Sequence, residues 1–175
     1  MDADSYPRLF SPLRLGRLEL ANRFVVPALT TNFGDLGGQV TDEVCGYLGR
    51  RGAGGFGLVV CENFGVQAGA KALPRMLMAH EDRYIPGMAR LAAAVKQGGA
   101  PVLAQINHPG RQTKSKFTGH ELVAPSAIPC PINREMPRAL DLDEIPEWEE
   151  YYVRAAERAA EAGFDGVEVH GAHGY

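Results

Sequence analysis

The feature that most constrains this chain is an alternation of short apolar runs with longer amphipathic ones. Arg23–Leu29 carries Phe24, Val25 and Val26, Gly57–Cys61 reads Gly-Leu-Val-Val-Cys, and Pro101–Ile106 and Phe164–Val169 supply two more. Each is short, apolar and rich in β-branched or aromatic residues, the pattern of a buried strand. Between them lie Thr41–Ala53, Tyr84–Gln97 and Pro146–Ala162, all at helical period. Thr41 can cap its helix, and Asp42 and Glu43 in the first turn complement the helix dipole. In the last segment Trp148, Tyr151, Tyr152, Ala155, Ala156 and Ala159 share one face, and Gly163 closes the helix. Strand and helix in regular alternation predict an α/β fold with parallel strands and right-handed crossovers. Ahead of them, Leu9–Leu20 alternates around Gly16 and reads as a β-hairpin able to plug the floor of a barrel.

Bulk properties narrow the function classes. With 175 residues, 45% hydrophobic content and a formal net charge of -3, residues 1–175 are expected to form one soluble domain with no second. No apolar run approaches the roughly 18 residues of a membrane span. The opening Met1-Asp2-Ala3-Asp4-Ser5 lacks the basic-then-apolar order of a signal peptide, so a cytoplasmic protein is expected. Cys45, Cys61 and Cys130 form no CxxC pair, which favours buried thiols over a disulfide framework or zinc site. Scattered basic residues in a mildly acidic chain argue against a nucleic-acid surface and for a small-molecule partner. Asn63–Arg83 and Asn107–Asp143 are long connections of the kind that carry function.

The polar residues of interest stand at strand ends. Val167–Tyr175 ends in His170, His173 and Tyr175, and two imidazoles three residues apart can point N–H groups at one oxygen of a bound molecule. Metal ligation lacks a third ligand at suitable spacing, so no metal is assigned. A pair of histidines satisfied within a strand–loop junction is the competing reading. Gln105 closes an apolar strand, where its amide can meet a ligand edge or a loop backbone. Gly52-Ala53-Gly54-Gly55-Phe56-Gly57 has the spacing GxGxxG, but it precedes a strand instead of following one, which suits a helix-to-strand turn and not a dinucleotide-binding loop.

Several segments, taken in order, carry a resemblance. Leu9-Phe10-Ser11-Pro12-Leu13-Arg14-Leu15-Gly16 with Ala21–Thr30, then Ala104–Arg111, Val123–Pro129 and Gly166–Tyr175, resemble the old yellow enzyme family of flavin-dependent ene-reductases. The resemblance implies a TIM-type (β/α) barrel, of which this chain holds the hairpin and roughly the first four strands, a half-barrel. It implies FMN as cofactor, NAD(P)H as reductant and an activated alkene (enone, enal or nitroalkene) as substrate. It places Ala28, Leu29 and Thr30 beneath the isoalloxazine ring, with the Thr30 hydroxyl near the C4 carbonyl, and Gln105 on the pyrimidine edge. Asn63 stands where relatives usually have a small residue that touches the flavin through its backbone. His170 and His173 would grip the carbonyl or nitro oxygen, with His170 also on the cofactor side, and Tyr175 would protonate the α-carbon. His108 and Arg111 are expected to order the loop after the third strand. The phosphate site of this barrel class lies in loops after strands seven and eight. Because a four-stranded sheet leaves its first and fourth strands unpaired, a second expectation is a catalytically silent half-barrel that self-associates or pairs with a partner half, and a homo-oligomer fits either.

Overall fold

The computed structural model describes residues 4–175, so Met1, Asp2 and Ala3 of the N-terminal reading lie outside the described residues. A one-turn helix α1 (Pro7–Phe10) precedes the antiparallel hairpin of β1 (Leu13–Leu15) and β2 (Leu18–Leu20), which pairs Leu15 with Leu18. Its turn begins at Gly16, whose φ of 57° side-chain-bearing residues rarely adopt. The chain continues through β3 (Val25–Val26), α2 (Asp42–Gly52), β4 (Leu58–Gly65) and β5 (Leu77–Met78). A single 3₁₀ turn, Asp82–Tyr84, leads into α3 (Ile85–Gln97), and β6 (Val102–Asn107) follows. Then come α4 (Ser115–Thr118), β7 (Val123–Ala124), β8 (Arg138–Ala139), α5 (Ile145–Glu161) and β9 (Gly166–Val169).

The main sheet runs β3-β4-β6-β9, every pair parallel, with β5 added beside the end of β4. The four expected strands are therefore neighbours in chain order, as in a TIM barrel, and the sheet is open, with β3 and β9 at its edges. The first strand is much shorter than its apolar run. Its ladder joins only Val25 to Leu58 and Val26 to Val59, and Pro27, which follows, has no N–H to donate. Leu9 belongs to α1 and not to the hairpin, because Pro7 presets the first helical φ. Both long connections carry short elements of their own; in the second, Arg138 beside β8 is ion-paired to Glu121 and Glu144.

The two faces of the sheet bury different partners. Val59, Cys61, Phe64, Val102, Ala104 and Ile106 pack outward against Val44 and Leu48 of α2, Met88, Leu91 and Val95 of α3, and Ala155 and Ala159 of α5. On the inner face Leu58 and Val60 meet Leu18 and Leu20 of the hairpin, with Ala28 and Leu103 beside them. The hairpin thus covers the early part of β4 and β6 and leaves their later part uncovered. Thr41 caps α2 by accepting the Val44 N–H at 3.4 Å.

One side chain ties the short β3 to β4. Asn22 Oδ1 accepts the N–H groups of Phe24 and Gly57, both at 3.0 Å, and its Nδ2 donates to the Gly55 carbonyl at 2.8 Å. Gly57 is required there, since a Cβ would lie 2.1 Å from the Asn22 carbonyl oxygen. Asn22→Ala removes all three bonds and should lower stability by about 2 kcal/mol. Urea unfolding should then show a lower midpoint at unchanged slope; an unchanged midpoint would mean that β3 is held by other contacts.

Candidate active site

Strand alternation decides which side chains reach the uncovered part of the inner face. From Leu103 in the inner cluster, a period of two brings Gln105 to the same face of β6. In β9 the same period runs from Gly166, where a Cβ would lie 3.1 Å from the Leu103 side chain, to Glu168 and then His170. The register sets Gln105 opposite Glu168, and Gln105 Nε2 donates to Glu168 Oε1 at 2.7 Å. The amide keeps one N–H and its carbonyl oxygen without partners among the described residues. Gln105 therefore reaches the uncovered part of the inner face from within β6, and one of its donors is held by the Glu168 carboxylate.

Beyond β9 the chain is steered back on itself. The His170 N–H donates to the Ile106 carbonyl at 3.0 Å, extending the ladder by one residue. His173 and Gly174 then take left-handed φ values of 60° and 81°, and the Tyr175 N–H closes the turn on the Ala172 carbonyl at 3.1 Å. The Gln112 amide holds the His173 carbonyl from outside. A left-handed histidine costs on the order of 1 kcal/mol, and what the turn achieves is the gathering of three rings. His170 lies 5.8 Å from His173 and 5.0 Å from Tyr175, centroid to centroid. Tyr175 is 40% exposed, open to a ligand. Partial burial, and then the neighbouring His173, hold the His170 imidazolium pKa below its ordinary value against the opposing pull of Glu168. At neutral pH His170 is accordingly an uncharged hydrogen-bond donor.

The opposite edge of the site follows β3. Ala28 packs on the inner cluster, while Leu29 is 63% exposed and Thr30 half-buried. Beside them β4 carries a bulge between Cys61 and Phe64. A bulge breaks the period of two, and both Glu62 and Asn63 turn toward the same neighbouring segment. The buried Glu62 accepts the Thr31 hydroxyl at 2.6 Å and the Thr31 N–H at 3.0 Å, and Asn63 Oδ1 accepts the Thr30 hydroxyl at 2.7 Å. Burial raises the Glu62 pKa, and the bonds from Thr31 and from the Asn32 backbone oppose the rise. Two adjacent polar residues inside an apolar strand were the sequence signal for this clamp, and Glu62 was overlooked. Ala28 and the exposed Leu29, with the Gln105 and Asn63 amides and the imidazoles along the edges, can accept a flat ring with polar edges, while the Thr30 hydroxyl is already committed to Asn63.

His108 lies outside this inner face. Its Nδ1 accepts the Gly110 N–H at 3.1 Å, its ring packs edge-on against Trp148 at 4.6 Å, and its backbone N–H donates to the Tyr152 hydroxyl at 3.1 Å. Arg111 donates to the Ile128 carbonyl at 3.0 Å, so both residues order the loop. They line a largely apolar cavity of about 470 Å³ with Trp148, Tyr152, Ile128 and Tyr175.

Residues 8–175 match the model of the NADH:flavin oxidoreductase / NADH oxidase family. The chain is 42% identical over 172 residues to an NADH oxidase of Thermoanaerobacter brockii, covering 97% of this chain and 26% of that protein. It is 33% identical over 168 residues to an NADPH dehydrogenase of Clostridium acetobutylicum, covering 96% and 49%. Its fold superposes on an old yellow enzyme homologue from Zymomonas mobilis with a TM-score of 0.89 at 31% identity, over 97% of this chain and 50% of that one. Morphinone reductase gives 0.87 at 31% identity, over 95% and 48%. The chain thus spans between a quarter and a half of the length of these relatives.

The partly buried His108 imidazole gives a pH dependence with a definite sign. Desolvation pushes the His108 pKa from 6.5 down to about 4. Between those values the unfolded chain binds more protons, so this contribution to stability is complete above pH 6.5 and is lost as pH falls toward about 4. The loss should reach at most about 3 kcal/mol. His108→Phe, which keeps the ring against Trp148, should flatten the pH slope of unfolding free energy in that window. Identical slopes in the two proteins would show that the folded state accepts the proton without penalty.

Proposed function

Because the chain belongs to the NADH:flavin oxidoreductase / NADH oxidase family, we propose that it forms the substrate-gripping portion of an FMN-dependent oxidoreductase that takes hydride from NAD(P)H and reduces the C=C bond of an activated alkene. The observation that carries this reading is the gathering of His170, His173 and Tyr175 at the end of β9, with ring centroids 5.8 Å and 5.0 Å from His170. Bound FMN supplies the hydride chemistry between nicotinamide and alkene. His170 and His173 donate N–H groups to the carbonyl or nitro oxygen of the substrate, which polarises the conjugated double bond. Negative charge grows on that oxygen as the β-carbon receives hydride, and donors already in place stabilise it where it forms. A neutral His170 suits the task, because it donates a hydrogen bond without bringing a full positive charge beside the substrate. The Tyr175 phenol, beside the His170 ring, gives its proton to the α-carbon. Ala28 and Leu29 shield one face of the ring from water, and Gln105, braced by Glu168, offers its remaining N–H and carbonyl to the pyrimidine edge.

Tyr175→Phe separates these roles. In FMN-loaded protein it should lower alkene turnover by roughly 10²- to 10⁴-fold while the rate of reduction by NAD(P)H stays unchanged in stopped-flow absorbance. The double variant His170→Ala/His173→Ala should abolish phenol binding by calorimetry. Unaltered alkene turnover in Tyr175→Phe, or unaltered phenol affinity in the double variant, would contradict the assignment.

A further inference from the structure

A threonine hydroxyl has one proton to give, and in this structure it is already given. The Thr30 hydroxyl donates to Asn63 Oδ1 at 2.7 Å, whereas a flavin C4 carbonyl, being an acceptor, would need that same proton. The acceptor is itself anchored. Asn63 sits at the β4 bulge with only 7% of its surface exposed. Glu62, the residue before it, fixes the Thr31 backbone and hydroxyl, so residues 30 and 31 are clamped against residues 62 and 63 by three hydrogen bonds. Once Asn63 Oδ1 is committed to Thr30, Asn63 Nδ2 has no partner among the described residues. Among the described residues the buried side-chain atoms without a partner are His80 Nδ1 and both amide atoms of Asn107, so Asn63 Nδ2 is unpartnered without being sealed off. The Nδ2 group therefore opens onto accessible space next to Thr30.

We propose that Asn63, and not Thr30, presents the hydrogen-bond donor to the C4 edge of the flavin, with Thr30 fixing the amide so that Nδ2 faces outward. The inference rests on the FMN reading above and deepens it. Donation from Thr30 into the Asn63 carbonyl polarises the amide and strengthens its N–H as a donor. A donor at that edge favours the reduced cofactor, whose negative charge spreads onto the C4 oxygen, over the oxidised one. The bulge in β4 thus gives this strand a side-chain donor of its own beside Thr30.

The test is the midpoint potential of bound FMN, with the dissociation constant of oxidised FMN measured alongside, in four proteins: wild type, Thr30→Val, Asn63→Ala and the double variant. Thr30→Val keeps the Asn63 donor and should change the preference for reduced over oxidised FMN by less than about threefold. Asn63→Ala frees the Thr30 hydroxyl to replace the lost amide and should also have a small effect. The double variant has neither donor and should lose about tenfold in that preference, close to 30 mV for a two-electron couple. Thr30→Val alone producing the full loss would overturn the inference, because the hydroxyl would then be the direct donor; a double variant at the wild-type potential would overturn it too. Thr30→Ser, which retains the hydroxyl, should match wild type and separates loss of the group from damage to the fold. A wild-type protein that takes up no FMN would overturn the FMN reading and this inference together. Uptake of FMN with the wrong pattern of potentials would overturn the inference alone.

Discussion

The arrangement depends on the parallel pairing of β6 with β9. That ladder sets Gln105 opposite Glu168 and Ile106 opposite Val169, and the His170 N–H continues it onto the Ile106 carbonyl. Because side chains alternate across a strand, a slip of β9 by one residue would turn Glu168 and His170 away from the inner face together, and a slip of β6 would turn Gln105 away. The register is protected on the other side of the sheet, where Ala104 and Ile106 are buried against the helices. Ala155 and Ala159 of α5 belong to the same cluster. A slip would bring Gln105 into that apolar layer, where an unpaired amide would cost roughly 1–3 kcal/mol. The polar rim is thus positioned by apolar packing that it never touches.

The inner face is divided along its length by the hairpin. Leu18 and Leu20 cover Leu58 and Val60, and nothing described covers Leu29, Gln105 or Glu168. The result is a dry end that fixes the strands and an open end that presents chemistry, the division of labour of a TIM barrel, whose bottom face carries stability and whose top face carries function. Where alternation would have hidden a needed side chain, the chain abandons alternation. The bulge in β4 turns both Glu62 and Asn63 onto the threonines of the neighbouring segment, and the left-handed pair His173 and Gly174 folds Tyr175 back beside His170.

What the sequence disclosed follows the same line. The four strands, three helices and hairpin were readable because each is a local pattern of period two or near 3.6, ended by glycine, proline or a cap such as Thr41. The fate of the long connections was not readable, because β5, β7 and β8 are two-residue ladders defined by distant partners and not by their own composition. At the site, His170, His173 and Tyr175 were visible as chemistry-bearing types at a strand end. Glu62 and Glu168 were not, because each acts through one neighbour far away in sequence, Thr31 and Gln105 respectively. The threefold role of Asn22 was hidden for the same reason: its side chain bonds Phe24, Gly55 and Gly57, and two of those lie more than thirty residues away.

The central claim is that the segment after β3 and the later halves of β4, β6 and β9 form one site, with flavin on the Ala28–Thr30 floor and substrate oxygen between the two histidines. A crystal structure of the protein with FMN and a phenol bound tests it most directly. The account predicts the isoalloxazine ring over Ala28 and Leu29, the Gln105 amide on its pyrimidine edge, and the phenol oxygen within hydrogen-bond distance of both His170 and His173. A phenol oxygen that meets neither histidine, or a flavin seated away from that floor, would contradict it.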